Sequence, residues 1–355
     1  MAEIIRIAIC GVGNRTLPKK PETSNWFGWM DLIHRHPAFE LVGVQDVAEE
    51  ALVRAVERGY ITCEKTFKSP EAMLDAIKAA ALLVTTPAEF HAANLLLGVE
   101  RNLHLMVEKP FVADINEGEE LVRKIEATGK VSLVVQNWRY KDVGRHIRDF
   151  IASGALGPVG HIIFRYVRNR ENPNYPAYIF EEDFPLLYAM GIHHFDLFRY
   201  ILGDEVISIA GQSFRPPWSM YRSVTGHNLF MKTRNGVAIS YSGTISSHNS
   251  ALPQESLIIE GANGTLVNNT DWMEPPLLFY EQGKKEPIDL TSDVRERSMR
   301  AQYDAADIYL LENFRAAIQG GMPSTCPAAD SLKSLKLLEA ARQACQTGTK
   351  IQIYE

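Results

Sequence analysis

The sequence predicts an α/β chain: a doubly wound parallel sheet in residues 1–136, then an α+β domain in residues 137–355 with a large, open, mostly antiparallel sheet. Three observations carry this. In the first third, apolar runs of strand length (IIRIAIC, ELVGVQ, ALLVTT, LHLMVE and VSLVVQ) alternate with amphipathic segments, the pattern of parallel strands covered on both faces. After about residue 137 the texture changes to loops rich in Gly, Pro, Asn and aromatics between strand patterns such as HIIFRYV, LFMKTR, GVAISYSG and SLIIEG. Between two of these stands Asn235-Gly236, a strong hairpin signal.

Taken in order, the first run ends in the glycine turn CGVGNRT, and the stretch LPKKPETSNWFGW reads as an inserted loop that delays the next helix. ELVGVQ ends at Asp46. Ser69-Pro70 supplies a helix cap and a first-turn proline. LHLMVE ends at Glu108, Lys109 and Pro110. Asp114 with Glu117 three residues on forms a capping-box-like start, and Leu121, Val122 and Ile125 follow at helical spacing. Helices at 193–202, 303–319 and 329–345 bracket the second sheet, and no internal repeat at solenoid or propeller periods is present.

Composition narrows the class. With 355 residues, 46% hydrophobic and 23% charged, the chain suits about two cored domains and excludes disorder as its main state. A net charge of -6 argues against nucleic acid or an anionic membrane surface as partner. Cys10, Cys63, Cys326 and Cys345 form no CxxC pair, so they read as free thiols rather than a disulfide framework or zinc site. The first run, broken by Arg6, is a poor signal peptide, and no apolar stretch approaches the roughly 18 residues that cross a bilayer. A cytoplasmic location is expected.

Gly11 and Gly13 would let the backbone turn tightly and approach a pyrophosphate. The third fingerprint position is Thr16, and Asp46 lies 35 positions after Gly11 against about 20 in the usual pattern, so the glycines alone read equally as a plain turn. A carboxylate at Asp46 would accept ribose hydroxyls and repel a 2'-phosphate, which favours NAD over NADP. Lys109 ends a buried strand at the sheet edge where ligands bind, and either serves chemistry there or is an ordinary strand-end lysine.

Together these pieces resemble the Gfo/Idh/MocA family of nicotinamide-dependent sugar and polyol oxidoreductases. The resemblance runs nearly end to end: IAICGVGNR, HPAFELVGVQD, TTPAEFH, EKP, NWRY, GALGPVGHI, GIHHFDLFRYILG, IIEGANGTL and PAADSLKSLKLLEAA. It implies a Rossmann domain with bound NAD and a substrate over the nicotinamide. It places Gly11, Gly13, Asn14 and Arg15 at the pyrophosphate, Asp46 at the adenosine ribose, and Thr86, Pro87, His91 and Glu108 along the cofactor. It makes Lys109 and His193 catalytic and Asn137, Arg139, Tyr140, Arg165 and Asp196 substrate-binding, with no metal; a site built from His193, His194 and Asp196 matches no strong ligand spacing.

One departure stands out. Many relatives carry an aspartate four residues before the histidine, where it orients the imidazole; here that position is Ala189. Asp183 and Tyr188 are candidate substitutes. The expected function is hydride transfer between a sugar or polyol hydroxyl and nicotinamide. The alternatives are a sensor of the same fold that binds NAD and sugar without turnover, and an NAD-dependent glycosidase. The polar residues of FRYVRNRENPNYPAY, notably Arg165, Arg168, Asn172 and Tyr175, read either as lining the substrate side or as a charged loop, and three arginines so close favour an acidic sugar or a carboxylated substrate. An open sheet face needs cover, which predicts a homodimer or homotetramer.

Overall fold

The computed structural model describes residues 4–24, 26–248, 252–294 and 299–353, apart from the side chains of 23 and 299–303. The chain divides into two compact units, one of residues 1–137 and 297–333, the other of 138–296 and 334–355.

The first unit holds a six-stranded parallel sheet of β1 (Ile5–Cys10), β2 (Phe39–Gln45), β3 (Thr66–Phe67), β4 (Ala81–Val84), β5 (His104–Glu108) and β6 (Ser132–Val135), in the order β3-β2-β1-β4-β5-β6. The order reverses between β1 and β4, the switch point where ligands bind at the carboxyl ends of strands. All four residues of β4 are fully buried, which is why ALLV reads as an unbroken apolar run rather than an alternating one. The helices are α1 (Trp29–Arg35), α2 (Glu49–Glu57), α3 (Pro70–Ala76), α4 (His91–Glu100) and α5 (Ile115–Thr128).

Local signals act as their chemistry requires. The Ser69 side chain accepts from the Ala72 amide, and Asp114 accepts from the amides of Asn116 and Glu117. After the glycine turn, the Thr16 and Leu17 amides bond the Gly13 carbonyl in a single turn, and α1 begins only at Trp29. Gly28, which starts α1, has φ of 101°, and a Cβ there would meet the Thr16 carbonyl oxygen at 2.6 Å, so this return of the inserted loop demands glycine.

The second unit begins with α6 (Asp142–Ala152) and β7 (Val159–Val167), followed by α7 (Ile192–Leu202), β8 (Val206–Phe214), β9 (Gly226–Thr233), β10 (Ala238–Thr244), β11 (Glu255–Gly261), β12 (Gly264–Asn268), β13 (Leu278–Glu281) and β14 (Ile288–Asp289). With β15 (Ile351–Gln352) these form a nine-stranded sheet, order β14-β13-β12-β11-β7-β10-β9-β8-β15, antiparallel except where β10 runs parallel to β7. Asn235-Gly236 turns the β9–β10 hairpin, with Gly236 at φ of 92°. One sheet face is buried: Phe164 packs edge-on to Phe198 of α7, and Tyr241 to Phe195. On the other face Phe230, Ile163, Ile258, Val267 and Leu278 form an apolar row, linked in register through Ser240.

The expected single boundary after residue 136 differs from the observed division. Residues 297–333, which carry α8 (Met299–Ile318) and the start of α9 (Ala328–Thr347), return to the first unit. The reason is the edge strand β6: the Val134 amide bonds the Cys326 carbonyl, and the Ala328 amide bonds Ser132 Oγ, so the returning chain satisfies a strand edge that would otherwise stay open. Among the described residues no helix is long and apolar enough to cross a membrane.

Candidate active site

The turn after β1, the loop after β4 and the end of β2 enclose a cleft of about 340 Å³ in the first unit, lined by Gly11, Gly13, Asp46, Thr86 and Pro87. Asp46 is fixed by two backbone amides: Val12 donates to Oδ2 at 2.6 Å and Ala48 to Oδ1 at 2.8 Å. The carboxylate thus sits against the glycine turn as an acceptor with lone pairs to spare for ribose hydroxyls. The two glycines have different reasons. At Gly11, φ is 93° and a Cβ would meet the Thr85 carbonyl carbon and the Thr86 nitrogen at 2.8 Å, so the fold itself requires it. Nothing of the protein lies within 4 Å of a Cβ at Gly13, and that open space beside the turn is what a pyrophosphate needs. Val47 and Phe90, 83% and 54% exposed, also line the cleft and offer apolar faces suited to a purine.

Thr16 takes the place of the third glycine without opening the turn. Its hydroxyl lies 2.6 Å from that of Thr85, whose Oγ1 donates to the Gly11 carbonyl at 2.7 Å. Behind the turn, burial pushes the Cys10 thiol up to about 12, so it stays protonated. Asn94 was not singled out from the sequence. It lies one helical turn after His91 and donates to Thr86 Oγ1 and to the Phe90 carbonyl, and a lone amide on a largely apolar helix was the available signal.

Arg15 has a different place from the one expected. Its guanidinium is 3.0 Å from Glu108 and 2.6 Å from Asp307 of α8, and it lies over the Trp29 ring at 4.9 Å. Trp29 Nε1 donates to the same Glu108 oxygen at 2.9 Å. Arg15 and Glu108 therefore serve each other, tying the glycine turn to the end of β5, and neither side chain lines the cleft. Burial raises the Asp307 carboxyl to about 6 although Arg15 opposes this. Asn14 closes the inserted loop, accepting the Lys19 amide on Oδ1 and the Trp26 indole on its carbonyl. Lys109 follows β5, half-buried, at the same sheet edge as Gly11 and Thr86.

In the second unit, His193 lies in the first turn of α7, its ring stacked on Trp138 at 5.9 Å with 16° between planes. Beyond Trp138 the stack continues: the Lys141 ammonium is 5.0 Å from that ring and 5.6 Å from Trp272, and Arg168 lies 4.4 Å over Trp272. Burial pushes Lys141 down to about 8 and its neighbour Glu255 up to about 7, each partly held by the other's charge. His194 faces the core, among Trp138, Phe164, Tyr166 and Tyr241, and burial pushes it down to about 3.

Four residues expected at substrate have other uses. Arg139 and Asp196 are both buried and form a bidentate pair, with Ser334 Oγ donating to Asp196 at 2.8 Å. Tyr140 is a core residue against Tyr200. Arg165 alternates with Phe164 and Tyr166, so it projects from the face opposite α7, where it donates to the Pro253 carbonyl. Asn137 is buried with no hydrogen-bond partner for its Oδ1 and keeps its candidacy. The substitutes for the missing aspartate point elsewhere: Tyr188 donates to Glu339 of α9, and Asp183 is exposed.

Comparison with known proteins agrees with the geometry. Residues 5–136 match an oxidoreductase family's NAD-binding Rossmann fold, and residues 148–353 its C-terminal alpha/beta domain. The chain is 24% identical over 359 residues to D-glucoside 3-dehydrogenase of Escherichia coli, covering 98% of this chain and 97% of that protein. It is 21% identical over 359 residues to scyllo-inositol 2-dehydrogenase (NAD(+)) of Bacillus subtilis, covering 99% and 97%. Among solved structures, an oxidoreductase from Agrobacterium radiobacter in complex with NAD+, L-tartaric acid and magnesium has the same fold, with a TM-score of 0.82, 17% identity and 98% coverage of both chains. The WlbA dehydrogenase from Bordetella pertussis, in complex with NADH and UDP-GlcNAcA, gives 0.80 at 20% identity and 99% coverage of both. The chain belongs to the Gfo/Idh/MocA family of NAD-binding oxidoreductases.

Proposed function

We propose that the protein is an NAD-dependent dehydrogenase acting on the CH-OH group of a sugar or polyol, with Lys109 and His193 handling the proton of the reacting hydroxyl. The observation that carries this is the cleft at the β1/β4 switch point, with open space at Gly13 and the Asp46 carboxylate fixed beside it. Bound NAD supplies the hydride acceptor. The glycine turn and Asp46 hold its adenosine and pyrophosphate, and the Asp46 charge disfavours the 2'-phosphate of NADP. The Lys109 ammonium lowers the cost of losing the hydroxyl proton, and His193 receives it. Such general-base assistance is worth about 10²- to 10⁴-fold. The named ligands and substrates of the relatives, inositol, a glucoside and a sugar-acid nucleotide, support this substrate class.

The test is a panel of polyols, aldoses and sugar acids with NAD and NADP, followed by absorbance of the reduced nicotinamide. Turnover with NAD that is lost in Lys109→Met, while NAD binding persists, is the expected result. Binding of NAD and sugar without reduction would make the protein a sensor, the reading Ala189 favours. Glycoside cleavage without net NADH would make it a glycosidase. The apolar row on the open sheet face, with Phe230 67% exposed, supports a homodimer or homotetramer. Four cysteines without a disulfide support a reducing, cytoplasmic setting.

A further inference from the structure

His91 is 1% exposed, and both its ring nitrogens meet backbone carbonyls: Nε2 lies 2.8 Å from the Thr86 oxygen and Nδ1 2.8 Å from the Pro110 oxygen. A carbonyl oxygen has no proton to give, so each contact is a hydrogen bond only if the ring donates. Neutral imidazole carries one N–H and can satisfy one of the two. Turning the ring over would set a carbon against each oxygen and lose both bonds.

We infer that His91 is held as an imidazolium, and that this buried cation is a positioning residue for Lys109. It clasps the loop after β4, which walls the cofactor cleft, to the residue that follows Lys109. Because β4 and β5 are neighbours in the sheet, one ring spans their two ends. Loss of one proton would turn a lone pair towards a carbonyl and open the clasp on one side. The charged side chains of α4, its neighbour α5 and the segments that meet the ring include Glu89 and Glu100, Glu108 and Lys109 at the end of β5, Asp114, and Glu117, Glu120 and Lys124 of α5. Both ring nitrogens face carbonyl oxygens rather than these groups, so the negative ends of two carbonyl dipoles, not a carboxylate, stabilise the ring's charge.

The consequence for turnover rests on the dehydrogenase reading; the protonation state does not. Full-length protein labelled with ¹⁵N-histidine, compared with His91→Gln for assignment, reports both nitrogens directly. At neutral pH both should resonate in the protonated range, and a resonance in the unprotonated range would overturn the imidazolium. His91→Gln retains a donor for only part of the clasp. It should keep its thermal midpoint within a few degrees, while the KM for NAD rises about fivefold or more and kcat falls about tenfold. Unchanged KM and kcat in a folded His91→Gln would overturn the positioning role. If no substrate is turned over, NAD affinity by tryptophan fluorescence replaces KM; the nitrogen spectrum still decides the charge, so the two readings fail separately.

Discussion

Removal of Arg139 separates a structural ion pair from a substrate ligand. Asp196 accepts two charge-assisted bonds from Arg139 and one from Ser334, with Arg199 3.9 Å away and itself paired to Glu205. Arg139→Met leaves a buried carboxylate with one hydroxyl donor and a distant, shared guanidinium. Breaking one side of such a pair costs about 3–5 kcal/mol. Against a total stability of roughly 5–15 kcal/mol, that should lower the thermal midpoint on the order of 10 °C. The double variant Arg139→Met with Asp196→Leu removes both charges and should return to within about 2 kcal/mol of the parent, because the desolvation cost goes with them. Urea unfolding followed by circular dichroism measures both. An unmoved midpoint in Arg139→Met, together with a tenfold rise in the KM for substrate, would refute the structural reading and restore Arg139 to the substrate.

The two glycines of the turn should behave differently. A Cβ at Gly13 meets no protein atom, so Gly13→Ala should keep its midpoint while NAD affinity falls about tenfold by fluorescence titration; Gly11→Ala should lose stability, by about 1–3 kcal/mol, as well as affinity. Asp46→Ser should cut the preference for NAD over NADP about tenfold, read as the ratio of kcat/KM values. The acid side of the stability curve should be steep, because burial depresses His194 to about 3 and His104 and His227 to about 4. Depressed values stabilise above the unfolded value near 6.5, and this contribution is lost as pH falls through the folded values. For His194 it amounts to roughly 4–5 kcal/mol at most. His194→Phe should flatten the slope measured by urea unfolding between pH 6.5 and 4, at a neutral-pH cost of about 1–3 kcal/mol for the unpaired Tyr241 hydroxyl.

Features governed by local chemistry were legible in the sequence. The buried run of β4 needs continuous apolar residues, Ser69 and Asp114 have side chains that cap helices, and Asn235-Gly236 suits a tight hairpin. What escaped depends on partners far away in sequence. Residues 297–333 join the first unit because β6 presents an edge, and no local pattern in α8 announces that. The face that Arg165 takes was not legible either, because a strand alternates its faces and the choice is set by which neighbours, Phe164 and Tyr166, are buried. Ala189 shows a different failure. Spacing of four residues means one turn only in an α-helix, and the segment Leu187–Gly191 is a π-helix, whose hydrogen bonds close to the fifth residue.

Several charges in the motifs that resemble the family's are committed inside the protein. Arg15 joins Glu108 and Asp307, Arg139 joins Asp196, and Arg199 joins Glu205. Each pairing joins elements distant in sequence or braces a helix end, so its loss must be felt first as stability. Asp46 and Gly13 differ: the first is anchored by backbone amides and keeps lone pairs open to the cleft, and a Cβ at the second would enter open space. Single substitutions should therefore fall into two groups, one that moves the unfolding midpoint and changes kinetics only as a consequence, and one that changes NAD use or turnover at constant stability. A resemblance in sequence marks both groups alike, and the hydrogen-bond partners of each side chain tell them apart.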